Sequence, residues 1–114
     1  MTRREPHLRL RHMLDHAREA AELARERTRE DLDQDRQFEL ALVRLLEIVG
    51  EAASRVPEEE RRPLSELPWR EIVDFRNQLI HGYDAVDLDI VWKIVETDLQ
   101  PLIDALERAI DPET

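Results

Sequence analysis

The sequence predicts an all-α fold, an up-and-down bundle of four main helices with a short helical turn or two besides. Three observations predict it. Apolar residues recur at three- and four-residue spacing along most of the chain, strand-like alternation is missing, and glycine occurs only twice. A chain of 114 residues reads as one domain over 1–114. At that length it can bury roughly two thirds of its unfolded surface, enough for one core.

The first helix is expected over residues 6–27, where Leu10, Met13, Leu14, Ala17, Ala21 and Ala24 form one stripe. On its charged face His12, His16 and Glu19 fall within about 60° of each other, the spacing of metal ligands on a helix. Without a further ligand this is read as a solvated face, and no metal site is expected. Thr28-x-x-Asp31 marks a fresh helix start. The acid-rich segment from Asp31 to Asp35 is then a short turn or lead-in to a long helix ending near Val56.

From Phe38 onward the long helix is apolar nearly all round, including Leu42, Val43, Leu45, Leu46, Ile48 and Val49. Such a helix in a small protein needs cover on two sides, one from the bundle and one from a second subunit, which predicts a homodimer. One polar strip survives, with Arg44, Glu47, Glu51 and Arg55 at spacings of three, four and four. It is either a solvent-exposed ion-pair ladder or a support in which Glu47 or Glu51 orients Arg76 or His81 across the bundle.

Pro57, Pro63 and Pro68 enclose a linker with about one helical turn. A single short helix is expected next, starting at Pro68 and stopping at Gly82, the residue best able to take a left-handed cap. Trp69, Ile72, Val73, Phe75, Leu79 and Ile80 would bury most of it, so Arg76, Asn77 and His81 each need a partner or a task. On a continuous helix His81 lies about 140° from Arg76 but only about 40° from Asn77. Asn77 could then support His81 directly, while Arg76 must reach around or face a second copy of the site. In the last turn the unpaired carbonyls favour a protonated imidazole, which suits proton transfer near neutral pH. Asp87 is the expected N-cap of the final helix, with Val86 and Val91 placed as a hydrophobic staple and Pro101 expected to bend it.

The octet Arg76-Asn77-Gln78-Leu79-Ile80-His81-Gly82-Tyr83 resembles the Arg-x4-His-x-Tyr signature of the HepT-like toxins in the HEPN superfamily. The likeness extends to the segments His12 to Asp15 and Ile48 to Ala52, to Pro68-Trp69, Val86-Asp87 and Asp98-Leu99. The resemblance implies a HEPN-like bundle and the toxin component of a toxin–antitoxin system. It further implies a metal-independent endoribonuclease without cofactor, whose catalytic residues Arg76, His81 and Asn77 meet at a site shared by two subunits. Its implied partner is a nucleotidyltransferase antitoxin (MntA-like) that transfers AMP to Tyr83.

The residue types fit that chemistry on their own terms. Cleavage of RNA through its 2′-hydroxyl needs a base for that proton, an acid for the leaving 5′-oxygen, and positive charge on the phosphorane. His81 could do either of the first two, Arg76 the third, and Asn77 could fix the imidazole or a phosphate oxygen. One histidine cannot readily be base and acid at once, and a two-fold dimer supplies two. An adenylylated Tyr83 would place bulk and negative charge two residues from His81 and repel RNA phosphate; Tyr83 also suits packing against the last helix, and both can hold. The reading from a different class is a non-catalytic helical dimerisation module that binds a nucleotidyltransferase or a nucleotide. There Arg76 pairs with Asp74 or Glu51, and His81 is simply a residue at a helix C-terminus.

A net charge of −10 argues against indiscriminate nucleic-acid binding. Residues 1–29 nevertheless carry eight Arg against five acids, a net of +3, leaving −13 on the other 85. An RNA should therefore approach the N-terminal helix and the Arg76 region. The absence of cysteine excludes a disulfide scaffold and cysteine-based metal sites. No apolar run approaches the roughly 20 residues that cross a bilayer, and no signal-peptide core is evident. A cytoplasmic protein without membrane contact is expected.

Overall fold

In the computed structural model, which describes residues 7–81 and 85–110, the chain runs α1 (Leu8–Ala24), α2 (Arg29–Gln34), α3 (Arg36–Ser54) and α4 (Glu58–Arg61). A 3-10 turn (Arg62–Leu64) leads to α5 (Trp69–Val73), α6 (Phe75–Leu79), β1 (Ile80–His81) and β2 (Ala85–Val86). The C-terminal run is α7 (Leu88–Lys93), a π turn (Ile94–Asp98) and α8 (Leu99–Ile110). The four main helices of the sequence reading are α1, α3, the α5–α6 pair and the α7–α8 run, so the all-α expectation holds. Helix α1 packs on α3 and α8, and α3 packs on α5 and α6.

Local chemistry sets the helix starts. Thr28 and Asp31 form the predicted reciprocal cap, with the Thr28 N–H donating to Asp31 Oδ2 at 2.8 Å. Asp35 closes α2 and caps α3 by accepting the Phe38 N–H at 3.1 Å. That backbone bond is the main reason its carboxyl sits below the usual carboxylate range, with the Arg27 guanidinium adding to it. Asp87 caps α7 as expected, accepting from the N–H groups of Asp89 and Ile90.

Phe38, Leu42, Leu46, Val49 and Ala53 of α3 are buried and lie under α1, α2, α5 and α6. The chain itself thus supplies most of the cover that the sequence reading divided with a second subunit. Leu40, 52% exposed, and Ala41 remain on the outer face of α3, with Ile48 half-buried beside them. The proline-rich linker is tied down at both ends. Arg61 donates to the carbonyls of Ala53 at 2.9 Å and Val56 at 3.2 Å, adding a side-chain donor where α3 runs out. Its guanidinium lies 5.1 Å over the Trp69 ring, whose Nε1–H donates to the Leu64 carbonyl at 3.0 Å.

The single helix expected from Pro68 to Gly82 is corrected in two places. It breaks at Asp74, and it ends at Leu79. The break sits against Gly50 of α3, where a Cβ would meet the Ile72 carbonyl oxygen at 2.9 Å and the Val73 carbonyl oxygen at 3.5 Å. Backbone can come that close because glycine has no side chain. At the other end, the Leu79 carbonyl accepts the Asp87 N–H at 2.6 Å. The chain then forms a two-residue antiparallel ladder, Ile80 with Val86 and His81 with Ala85. The expected Gly82 cap lies outside the described residues. Ahead of Pro101, where a bend is expected, the helical run carries a π turn in which the Leu99 N–H reaches back to the Ile94 carbonyl. Proline removes a donor and crowds the preceding turn.

Two outcomes follow. Gly50→Ala gains about 1 kcal/mol of helix propensity but forces backbone apart at a cost of about 1–3 kcal/mol. Urea denaturation should therefore show a net loss of stability, and a gain would contradict the close approach. Asp35, with its depressed carboxyl, contributes stability that is present above the ordinary carboxylate range and is lost as pH falls through its folded value. In thermal melts the margin of the wild type over Asp35→Asn should shrink between neutral pH and that acidic range, and a pH-independent margin would contradict the cap.

Candidate active site

Phe75 and Leu79, four residues apart, anchor α6 in the core at 4% and 0% exposure. The same spacing turns Arg76 and Asn77 to the outer face, where both are exposed. The expectation that burial obliges these two to find partners is therefore corrected. Arg76 forms no hydrogen bond or ion pair with other described residues. Asn77 instead donates from Nδ2 to Asp74 Oδ1 at the helix break. Gln78 reaches back from Nε2 to the Glu71 carbonyl at 3.0 Å, closing a group the break had opened.

His81 lies beyond the end of α6, in β1. The helical-wheel angles relating it to Arg76 and Asn77, and the argument from the last turn of a helix, therefore do not apply. Its backbone stands at the foot of a hairpin whose ends are joined through Leu79 and Asp87. Tyr83 lies outside the described residues. Glu47 and Glu51 both face Arg44, at 3.7 Å and 3.4 Å, and neither is bonded to Arg76 among the described residues.

Electrostatics shift the weight of the site away from the N-terminal helix. Arg18 pairs with Glu107 at 2.6 Å, Arg25 with Glu22 at 3.2 Å, and Arg27 with Asp35 at 3.3 Å while lying over Phe38. Arg29 bonds Asp89 at 2.9 Å and Asp33 at 3.0 Å, and the bond to Asp89 is the chief cause of its raised pKa. These four charges are answered within the chain. Arg70 and Arg76, both exposed, form no ion pair among the described residues. On α1, His16 Nδ1 donates to the His12 carbonyl at 2.7 Å, and no group of three or more metal-ligating side chains occurs among the described residues.

Beside Asn77 a hollow of about 390 Å³ separates α6 from α7 and the π turn. A larger groove of about 610 Å³ runs on between α5–α6 and α8, and the two share Gln78, Lys93 and Asp98. Asp74, offered by the sequence as a partner of Arg76, is bonded to Asn77 instead, and the place of Lys93 here escaped the sequence reading. Asp74 carried a signal, since it stands three residues before Asn77 and helical neighbours at that spacing meet. Lys93, the sole lysine, carried none.

The model of the family described as ribonuclease HepT-like matches residues 13–109. The chain is 39% identical over 99 residues to a protein of Thermococcus cleftensis named "Probable ribonuclease HepT", covering 83% of this chain and 90% of that one. It is 34% identical over 104 residues to a protein of Caldanaerobacter subterraneus subsp. tengcongensis named "Putative RNase", covering 88% of this chain and 93% of that one. Among solved structures none matches. The chain belongs to the HepT-like ribonuclease family, as its octet from Arg76 to Tyr83 led us to expect. Among the described residues no helix is long and apolar enough to cross a membrane.

Proposed function

We propose that this protein is an endoribonuclease of the HepT-like kind, acting in the cytoplasm as the toxin of a toxin–antitoxin pair. The observation that carries the reading is the exposed Arg76, unpaired among the described residues, on the helix that leads straight into the strand bearing His81. Membership of a ribonuclease family supports it.

The reaction assigned to the site is transfer within the RNA. One His81 imidazole takes the proton of a 2′-hydroxyl, the 2′-oxygen attacks phosphorus, and a second imidazole protonates the departing 5′-oxygen. The products are a 2′,3′-cyclic phosphate and a free 5′-hydroxyl. Arg76 answers the charge that builds on the phosphorane, and Asn77 orients a phosphate oxygen or the imidazole. Proton transfer and charge neutralisation are both met by side chains, so the reaction needs no metal ion. The two imidazoles come from two subunits. Leu40 on α3 and Val73 on α5, 52% and 36% exposed, are apolar side chains available to an interface between copies.

Regulation is assigned to Tyr83. A nucleotidyltransferase antitoxin would join the phosphorus of AMP, taken from ATP, to the Tyr83 oxygen with release of pyrophosphate. The added phosphate would stand two residues from His81 and repel the substrate.

Purified protein should cleave RNA in the presence of EDTA and leave 2′,3′-cyclic phosphate ends. His81→Ala and Arg76→Ala should each lower kcat/KM by roughly 100- to 10,000-fold with the fold intact by circular dichroism. Equal cleavage by the wild type and His81→Ala would remove the catalytic assignment.

A further inference from the structure

The hollow beside Asn77 has a hydrogen-bonding character that its charge alone conceals. Asp74 and Asp98 stand on its walls against one cation, Lys93, so its balance is wrong for a phosphate. Its donor and acceptor inventory points elsewhere. The amide nitrogen of Asn77 is engaged by Asp74 and that of Gln78 by the Glu71 carbonyl. Both bonds fix the nitrogen as donor, so each amide keeps its oxygen as an acceptor and its second N–H as a donor. The single Thr97 hydroxyl hydrogen has the Lys93 carbonyl at 2.7 Å and Asp98 Oδ1 at 3.0 Å as acceptors, so the Asp98 carboxylate keeps acceptor capacity. Lys93 makes no side-chain bond with other described residues, and its ammonium is the strong donor of the hollow. Ile90 and Ile94 supply an apolar wall.

The site thus sets the Asp98 carboxylate and the Lys93 ammonium, its one charged donor, beside two adaptable amides and an apolar wall. We propose that it is a subsite for a guanine base of the RNA, flanking the phosphodiester that Arg76 addresses. The Watson–Crick edge of guanine offers N1–H and the 2-amino group beside a single acceptor, O6. A carboxylate, that of Asp98, can take N1–H and the 2-amino group together, while Lys93 donates to O6. Adenine presents its amino group beside an acceptor nitrogen and cannot satisfy that pair of groups. Unstacked bases read on this edge are the usual means of sequence-specific RNA recognition, and the volume is that of a small-ligand site. The hollow opens into the larger groove through Gln78, Lys93 and Asp98, which gives the strand a path onward.

This inference rests on the ribonuclease reading, and two readouts separate them. In 15N NMR titrations of the full-length protein, guanosine monophosphate should shift the amides of Ile90, Lys93 and Ile94 at concentrations where adenosine monophosphate does not, and Asp98→Ala should abolish the difference. Cleavage of oligonucleotides that differ at one base beside the scissile bond should favour guanine by on the order of tenfold, and Asp98→Ala should erase the preference. Equal shifts with both nucleotides, or cleavage indifferent to the base, would overturn the subsite. Guanosine-specific shifts without any cleavage would leave the subsite standing and overturn the ribonuclease reading instead.

Discussion

The contact on which the rest of the structure depends is the approach of the α5–α6 junction to Gly50. The carbonyl oxygen of Ile72 lies only 2.9 Å from where a β-carbon on Gly50 would be, so the two helices meet backbone to backbone. That approach seats Ile72, Phe75 and Leu79 in the core. With those three fixed, the direction of α6 is fixed, and so is the outward face that carries Arg76 and Asn77. The helix break at Asp74 is part of the same arrangement. It releases a carbonyl that Gln78 satisfies and supplies the carboxylate that holds Asn77.

The end of α6 settles where the histidine belongs. A helix running on to Gly82 would have left His81 among open carbonyls. Instead the Leu79 carbonyl is taken by Asp87, whose side chain also starts α7. The one aspartate therefore fastens the returning chain and begins the last helical run. His81 sits between these two anchors rather than on a helix face, and its relation to Arg76 is set by the hairpin. Charge is managed in a similar way. In a protein with a net charge of −10, Arg18, Arg25, Arg27 and Arg29 are answered by acids of the same chain, while Arg76 is exposed on the outer face of α6.

Much of this was legible in the residues. Apolar periodicity located the main helices. The Thr28–Asp31 and Asp87 caps were readable because they depend on neighbours two or three residues away. The family was legible in one octet, whose residues lie close together in the chain. What escaped was decided by distant contacts. Neither the break at Asp74 nor the stop at Leu79 follows from local propensity, since the first needs Gly50 and the second needs Asp87 across a turn. The exposure of Arg76 and Asn77 escaped for the same reason, because a helix of five residues buries only the face its neighbour covers. Lys93 and Asp98 come to line one hollow with Asn77 only through the docking of α7 and the π turn on α6.

In the proposed mechanism two His81 side chains, one from each subunit, serve a single scissile bond. Wild-type and His81→Ala subunits can be unfolded together, refolded at known ratios and assayed for RNA cleavage. A shared site predicts that activity falls with the square of the wild-type fraction, so that equal mixing leaves about a quarter of it. Activity falling in simple proportion to the wild-type fraction would mean that each subunit cleaves alone, and would contradict the claim.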